Sequence, residues 1–208
     1  MATKRGLERR LSDAEQFSEP RIDLEQYATP PDIAAHLVHY VDMHDDLGGR
    51  IVCDLGTGPG ILAIGCAHRN PERVIGIELD PDAITLACEN ERRIDPPVPV
   101  DWIQADATRA PIRSDSHLTV IMNPPFGAQR ANVHADRAFL RTAARIGRVS
   151  YSLHNAGSRA FIEAFAASNG GEVTAAMAVS FDLTYQFPFH DAEVTTIDAE
   201  MFRIRWRP

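Results

Sequence analysis

The sequence predicts an α/β fold built on a mostly parallel sheet, and two observations carry this prediction. From residue 50 onward, short apolar runs typical of strands alternate with helical patterns, as they do in parallel βαβ units. Near the carboxyl terminus, two long strand-like runs over 173–183 and 194–206 follow each other without a helical pattern between them. We expect these two runs to form an antiparallel hairpin that closes the sheet.

The individual elements follow in a regular order. Up to residue 20 the chain is charged and predicts a helical or loosely ordered arm, and Pro30 and Pro31 then precede an amphipathic helix over 32–43. Five further strands are predicted, over 51–55, 74–79, 100–105, 118–122 and 149–153. Helices are predicted between them, from residue 60, over 81–93, near 136–146 and over 158–168.

Composition places the chain among ordinary globular proteins. Its 208 residues suit one domain, with 44% hydrophobic and 24% charged residues. The longest apolar run, around 61–67, is far shorter than the roughly 20 residues that a membrane helix needs, and residues 1–10 lack the apolar core of a secretory signal. Cys53, Cys66 and Cys88 lie apart in apolar stretches, so no metal site is expected. We therefore expect a cytoplasmic protein with no membrane partner.

The charge balance is unusual. The net charge is -8, and of the 21 basic residues only Lys4 is a lysine. Abundant aspartate and almost no lysine suggest adaptation to a salty cytosol, because the Debye length falls to about 3 Å at 1 M salt. This hypothesis bears on function, since an acidic chain would otherwise be a poor candidate for binding nucleic acid.

A glycine-rich segment, residues 54–60 (DLGTGPG), follows the first predicted strand and opens a helix. A nucleotide cofactor can approach backbone amides closely at such a place. The dinucleotide fingerprint would need glycine where Ile61 stands, and the chain has no P-loop sequence. The segment therefore predicts a cofactor loop without a pyrophosphate site.

Two carboxylates end the next two strands. Glu78, eighteen residues after Gly60, can accept both hydroxyls of an adenosine ribose, and Asp106 can accept from the adenine amine. The plainer alternative makes the glycines turn residues and the carboxylates solvated strand ends. That alternative is weak for all of them together, because they fall at successive strand ends of one sheet.

This arrangement resembles the class I S-adenosylmethionine-dependent methyltransferases from about residue 50 to the end. The resemblance implies a seven-stranded Rossmann-like sheet, with six parallel strands plus one antiparallel and helices on both faces. It also implies a set of cofactor contacts: Asp54, Gly56, Pro59 and Ile61 at the methionine and ribose end, Glu78 at the ribose, Asp106 at the adenine, and Gly58 and Leu79 beside them.

The most specific motif is Asn123-Pro124-Pro125-Phe126, at the end of the fourth strand. An exocyclic amine donates two hydrogen bonds and is a weak nucleophile until acceptors hold both hydrogens. Asn123 and the Pro124 carbonyl can accept, the prolines have no N–H, and Phe126 can stack on a planar base. The motif therefore predicts a catalytic site for methylating a planar amine, with Asn123 beside the cofactor as well. It does not distinguish adenine N6, cytosine N4, guanine N2 and protein glutamine.

Three further segments, 24–30 (LEQYATP), 138–140 (AFL) and 151–154 (YSLH), narrow the family. With the Asn-Pro-Pro-Phe motif, they resemble the archaeal and eukaryotic small-subunit ribosomal RNA adenine-N6 methyltransferases. By that resemblance, Gln26 and Thr29 fold over the cofactor as a lid, and residues 123–126 hold a flipped adenosine. Without the resemblance, Gln26 and Thr29 are turn and helix-cap residues, and His154 is a core histidine.

The resemblance also implies two partners. One is small-subunit ribosomal RNA, for which aromatic and arginine side chains are candidate contacts: Phe187, Phe189, His190, Arg130, Arg137, Arg141 and Arg145. The other is a small zinc-ribbon activator, added as a strand at the exposed edge strand 100–105, where Trp102 lies. Cover of Trp102 by helices of the chain itself would remove the motive for that second prediction.

Three alternatives remain open. A protein glutamine N5-methyltransferase of the release-factor type shares the amine motif but usually carries Tyr in place of Phe126 and a larger N-terminal domain. A DNA adenine methyltransferase shares it as well, and a catalytically idle nucleic-acid-binding or scaffold fold is the non-enzymatic reading. For the domains, we expect an N-terminal arm and helix with a cofactor lid over 1–49 and a methyltransferase domain over 50–208.

Overall fold

The computed structural model describes residues 3–18, 20–21, 26, 29–113, 118–125, 135–184 and 194–207, with backbone alone for 181–184 and 194–197. The helices are α1 Lys4–Leu11, α2 Pro31–Met43, α3 Ile61–Ala67, α4 Pro81–Ile94, α5 Ala135–Ile146 and α6 Arg159–Ser168. The strands are β1 Ile51–Leu55, β2 Arg73–Glu78, β3 Val100–Gln104, β4 Leu118–Met122, β5 Gly147–Asn155, β6 Gly171–Thr184 and β7 Val194–Trp206. None of these helices is both long and apolar enough to cross a membrane.

All seven strands form one sheet in the order β3-β2-β1-β4-β5-β7-β6. The pairs from β3 to β5 are parallel, and β7 runs antiparallel to both of its neighbours, β5 and β6. Six strands therefore point one way and β7 the other. The predicted fold class is confirmed, including the terminal hairpin.

Helices cover both faces of the sheet, because each central strand is apolar on both sides. In β4, Ile121 belongs to the core beneath α2 and α3, while Val120 and Met122 belong to the core beneath α5 and α6. Leu7 and Leu11 of α1 are fully buried in the first of these cores. The amino-terminal helix is thus part of the main packing.

Local sequence explains where the helices begin. The Asp80 side chain accepts from the backbone N–H of Asp82 at 3.1 Å and caps α4, and Pro81 takes the first helical position. Thr3 caps α1 in the same way through the N–H of Gly6. The predicted boundaries agree within about two residues, and a short 3-10 helix, Ala107–Arg109, was not predicted.

Trp102 lies on β3, which is an edge strand as expected. Its indole N–H donates to Glu91 Oε2 of α4 at 2.7 Å, and its ring covers Gly76, where an added Cβ would lie 2.5 Å from the ring. The chain therefore holds Trp102 with its own helix. The expectation of an uncovered Trp102 was wrong, because the glycine at position 76 leaves room for the indole to lie against the sheet.

Candidate active site

A cavity of about 220 Å³ opens at the carboxyl ends of the central strands. β1 and β4 are neighbours there although they are not consecutive in the chain, so the strand order reverses at this point. Open α/β sheets bind their ligands in the crevice at such a reversal. The cavity is lined by Phe17, Gln26, Thr29, Gly56, Thr57, Gly58, Pro59, Ile61, Leu62, Glu78, Leu79, Asp106, Ala107, Thr108, Asn123, Pro125, Ala135 and Phe139.

The glycine loop forms one wall of this cavity. Its three glycines all have positive φ, namely +69° at Gly56, +54° at Gly58 and +85° at Gly60. Residues other than glycine rarely adopt a positive φ, and the lack of Cβ atoms at the three glycines also lets a ligand approach the backbone. The loop is therefore shaped for close contact with a cofactor.

Asp54 lies beneath the loop and does not line the cavity. One of its oxygens, Oδ2, accepts from the Thr57 hydroxyl at 2.6 Å and from the backbone N–H of Ala63 at 3.1 Å, which ties the loop to α3. The other, Oδ1, is buried and has no hydrogen-bond partner among the described residues. Burial raises the pKa of Asp54 to about 7, and these two hydrogen bonds oppose the shift.

Glu78 holds the loop against the end of β2. Its Oε2 accepts from the backbone N–H of Gly58 at 2.9 Å, and its Oε1 accepts from the N–H groups of Leu79 and Asp80 at 2.8 and 3.0 Å. The carboxylate lies on the cavity wall beside Leu79, a large apolar side chain that is 53% exposed. A polar acceptor and an exposed apolar surface side by side suit a nucleoside, which has a hydroxylated sugar and a flat apolar base.

Asp106 closes the same side of the cavity. Its Oδ1 accepts from the backbone N–H of Thr108 at 2.8 Å and from the Thr108 hydroxyl at 2.6 Å, which fixes the side chain at the start of the 3-10 helix. The carboxylate is therefore held in one orientation at the cavity edge.

The N-terminal arm forms another part of the wall, next to the glycine loop. Gln26 donates through Nε2 to Asp80 Oδ2 at 2.6 Å, and its Oε1 accepts from the backbone N–H of Arg21 at 2.8 Å. Gln26, Thr29 and Phe17 all line the cavity. The arm thus reaches across to the strand ends that carry the acidic residues.

Asn123 lies at the end of β4, where the cavity meets the arm. Its Nδ2 donates to the Thr29 hydroxyl at 3.0 Å, while its Oδ1 is buried and has no hydrogen-bond partner among the described residues. A buried acceptor without a partner is costly in a folded protein and calls for an explanation. An incoming donor, such as a substrate amine, would satisfy it.

The structure brings most of the expected site residues together. The cavity is lined by Gln26, Thr29, Gly56, Gly58, Pro59, Ile61, Glu78, Leu79, Asp106, Asn123 and Pro125. Asp54 and Pro124 are buried behind the wall and are not part of the lining. Phe126 lies outside the described residues, and so do Arg130, Phe187, Phe189 and His190.

Sequence reasoning missed two aromatic walls. Phe139 of α5 packs on the glycine loop, 2.9 Å from a Cβ built on Gly56, and Phe17 of the arm lies 3.5 Å from a Cβ built on Gly58. An aromatic residue beside an alanine and a leucine in an amphipathic helix has the same pattern as a core residue. Segment 138–140 was part of the family resemblance, but its local pattern assigns Phe139 no place in the cavity. Phe17 is placed by contacts far away in sequence.

The family model described as "Methyltransferase small domain" matches residues 28–154. This match covers more than half of the chain and includes the glycine loop, both strand-end carboxylates and Asn123. The chain belongs to the methyltransferase small domain family. The predicted resemblance to class I methyltransferases is confirmed.

Individual relatives of this methyltransferase cover nearly its full length. The rRNA N(6)-adenosine-methyltransferase Mettl5 of Drosophila melanogaster is 37% identical in an alignment of 206 positions that covers 96% of this chain and 94% of that protein. A Pyrococcus horikoshii crystal structure described as a candidate RNA methyltransferase is 33% identical, with a TM-score of 0.88 and full coverage of both chains. Magnesium protoporphyrin IX methyltransferase from Synechocystis, solved with SAM bound, shares the fold at 16% identity, with a TM-score of 0.64 over 96% of this chain and 89% of that one.

Two residues singled out in the sequence, His154 and Arg145, have structural partners in this methyltransferase. His154 is buried against Phe202 and hydrogen-bonds to Ser152, and burial lowers its pKa to about 4, so it is neutral at pH 7. Arg145 donates to the backbone carbonyls of Ile112 and Ala110 at 2.6 and 2.8 Å. His154 is thus a core residue, as its sequence context indicates, and Arg145 braces a loop.

Proposed function

We propose that this methyltransferase uses S-adenosylmethionine to methylate N6 of an adenosine in RNA, in the small ribosomal subunit. The observation that carries the proposal is the free, buried amide oxygen of Asn123 on the wall of a cavity built by a glycine loop and strand-end carboxylates. Two similar proteins, from Drosophila melanogaster and Danio rerio, are rRNA N(6)-adenosine-methyltransferases, at 37% and 32% identity. Ribosomal RNA as substrate implies a cytoplasmic enzyme.

The residues of the cavity fit the proposed cofactor. Glu78 would accept from ribose hydroxyls, Leu79 would contact the adenine face, and Asp106 would accept from the adenine amine. The glycine loop leaves space for the methionine part, and Asp54 would act through the loop that it holds. When bound, S-adenosylmethionine supplies a methyl group on a positively charged sulfur that is already activated for transfer.

The protein then has to orient and polarise the target amine. Asn123 Oδ1 would accept one amine hydrogen and the Pro124 carbonyl the other, which lets the nitrogen lone pair point at the methyl group. Neither Pro124 nor Pro125 has an N–H that could repel the amine. No strong general base is needed, because positioning and exclusion of water carry most of an in-line transfer. The methylated nitrogen loses its extra proton after the methyl group has moved and the bond from that methyl group to sulfur has broken.

Two proposals concern parts of the chain around this site. We retain residues 1–49 as an arm and helix with a cofactor lid and residues 50–208 as the methyltransferase domain. Since α1 and α2 pack into the main core, this division describes function and not separate packing. Gln26 and Thr29, which line the cavity from the arm, are the proposed lid residues.

We also propose that a small zinc-ribbon activator binds this enzyme. The proposal rests on the free edge of β3 and not on exposure of Trp102. β3 pairs with β2 on one side and is the last strand in the sheet order on the other. Its Asp101 and Gln104 side chains are exposed, so the backbone of this edge is accessible for strand addition. Measuring the mass of the enzyme by light scattering, alone and with the activator, tests it: a stable 1:1 complex supports strand addition, and two independent species contradict it.

Label transfer tests the function. Purified enzyme and tritiated S-adenosylmethionine are incubated with small ribosomal subunits from a strain that lacks the gene, and the RNA and protein fractions are counted separately. We expect label in RNA, in a nucleoside that co-elutes with N6-methyladenosine after digestion. Label in protein would indicate the release-factor type of activity. If DNA is added to a parallel reaction, label in that DNA would indicate a DNA methyltransferase. The absence of any label would indicate a binding fold without activity.

A further inference from the structure

Asn90, on the buried side of α4, joins two segments that are far apart in sequence. Its Nδ2 donates to the carbonyl of Pro59 in the glycine loop at 2.9 Å and to the carbonyl of Glu15 in the arm at 2.9 Å. Its Oδ1 accepts from the backbone N–H of Glu15 at 2.8 Å. The side chain is fully buried, with 0% exposed, and both of its amide N–H groups and its oxygen are engaged.

Only an amide of this length can make this set of bonds. The two bonds to Glu15 pair a side-chain amide with a main-chain amide, as neighbouring strands pair with each other. Aspartate would keep the acceptor and lose both donors, which removes this partner from the carbonyls of Pro59 and Glu15. Leucine has the same branching with bulkier methyl groups, and it would lose all three bonds.

The two segments that Asn90 joins form neighbouring parts of the cavity wall. Pro59 lines the cavity directly. Two residues after Glu15, Phe17 lines it from the arm, with its ring 3.5 Å from a Cβ built on Gly58. A shift of Glu15 would move Phe17 away from the glycine loop and open this wall.

The other attachment at this end of the arm is weaker. Arg93 forms an ion pair with Glu15 at 2.7 Å, but these side chains are 40% and 59% exposed, and exposed ion pairs contribute little. On the amino-terminal side, Leu11 anchors the arm in the core, and Arg93 Nη1 donates to the Asp13 carbonyl at 3.5 Å. On the carboxyl-terminal side, the next described attachment is the bond from Gln26 to Asp80, eleven residues after Glu15. Asn90 is therefore the buried contact that fixes the Glu15 to Phe17 end.

We propose that Asn90 is a positioning residue for the cofactor site, and the inference rests on the proposed function because the ligand is taken to be S-adenosylmethionine. By holding the arm on the glycine loop, Asn90 makes cofactor binding and arm docking mutually dependent. Each event then favours the other by the same factor, as linkage requires. Asn90 acts without touching the ligand, since it is not among the lining residues.

Calorimetric binding of S-adenosylhomocysteine, a stable probe for the cofactor, tests this role. We expect Asn90→Leu and Asn90→Asp to weaken binding by about tenfold or more. Arg93→Ala, which removes the exposed ion pair and the exposed 3.5 Å bond to the Asp13 carbonyl, should change it less than threefold. Phe17→Ala should weaken binding as well, and the double variant with Asn90→Leu should lose less than the product of the two single losses. Wild-type affinity in a folded Asn90→Leu variant would overturn the proposal.

The degree to which the bound probe protects the arm from trypsin supplies a second readout. The ratio of cleavage rates with and without probe cancels a uniform loss of stability. In the wild type, the probe should slow cleavage after Arg21 at least threefold, and in Asn90→Leu the arm should be cut faster and the probe should protect it less. This experiment needs no variant for its first half, so an unfolded Asn90→Leu does not rescue the inference. If the wild type binds the probe and arm cleavage is unaffected, this inference fails alone; if the wild type does not bind it, the proposed function fails.

Discussion

The side-chain amide nitrogen of Asn123 donates a hydrogen bond to the Thr29 hydroxyl over 3.0 Å, across 94 residues of sequence. The bond fixes which way the amide faces, because the nitrogen is held by the arm and the oxygen is left free and buried. In the opposite orientation, an N–H of Asn123 would face the target amine, which also donates. Thr29 therefore sets the polarity of the proposed catalytic acceptor in addition to lining the cavity.

Replacing Thr29 tests that relationship. Thr29→Val keeps the shape and removes the acceptor, so the Asn123 amide loses about 1 kcal/mol of orienting energy and the rate of methyl transfer should fall about fivefold to tenfold. Binding of S-adenosylhomocysteine should change less than threefold. Thr29→Ser keeps the hydroxyl and should stay close to wild type. Equal rates for the valine and serine variants would show that the bond does not orient Asn123.

Asp54 should make stability depend on pH. Its pKa rises from 3.8 to about 7 on burial, so the folded state keeps a proton that the unfolded state loses between about pH 4 and pH 7. The contribution of this proton to stability is complete below about pH 4 and disappears as pH rises through 7, at a cost of up to about 4 kcal/mol. The asparagine side chain introduced by Asp54→Asn does not titrate. The free energy of unfolding of this variant should therefore increase relative to that of the wild type as pH rises from 4 to 7. Urea unfolding of both proteins at several pH values measures the difference, and parallel profiles would contradict this account.

Stability also depends on a buried ion pair remote from the cavity. Asp46 Oδ2 accepts from Arg203 Nη2 at 2.8 Å and from the Tyr151 hydroxyl at 2.5 Å, and the Asp46 and Arg203 side chains are both less than 15% exposed. Asp46→Asn leaves the charge of Arg203 without its partner, so unfolding should become easier by about 2 to 4 kcal/mol. Tyr151→Phe removes the hydroxyl and keeps the ion pair, so it should lower the free energy of unfolding by about 1 kcal/mol. Urea unfolding measures both, and a wild-type midpoint for Asp46→Asn would exclude a stabilising role for the pair.

Much of the fold could be predicted from the sequence, because the relevant signals are local. Alternating apolar runs and helical patterns place β1 and β4 at their observed bounds, and the absence of a helical pattern after residue 170 predicts the hairpin. The glycine loop could be predicted as well, since positive φ at successive glycines is a backbone requirement that leaves a mark in the sequence. Glu78 and Asn123 follow from their places at strand ends.

The remaining features depend on contacts between distant segments. Nothing in the local sequence of Phe17 or Asn90 indicates that either residue lies beside the glycine loop. Asn90 hydrogen-bonds to Glu15, which is 75 residues away in sequence. Trp102 was expected to be uncovered at the sheet edge, but a hydrogen bond to Glu91 and the space above Gly76 keep it against the chain. Such outcomes depend on packing geometry, which periodicity does not reveal.

The central claim is that the free amide oxygen of Asn123 holds the target amine. Single-turnover methyl transfer to small-subunit RNA, at saturating S-adenosylmethionine, tests it most directly when wild type and Asn123→Ala are compared. We expect a loss of at least a hundredfold in the transfer rate, with S-adenosylhomocysteine affinity within about threefold of wild type. Transfer at the wild-type rate by a folded Asn123→Ala variant would contradict it.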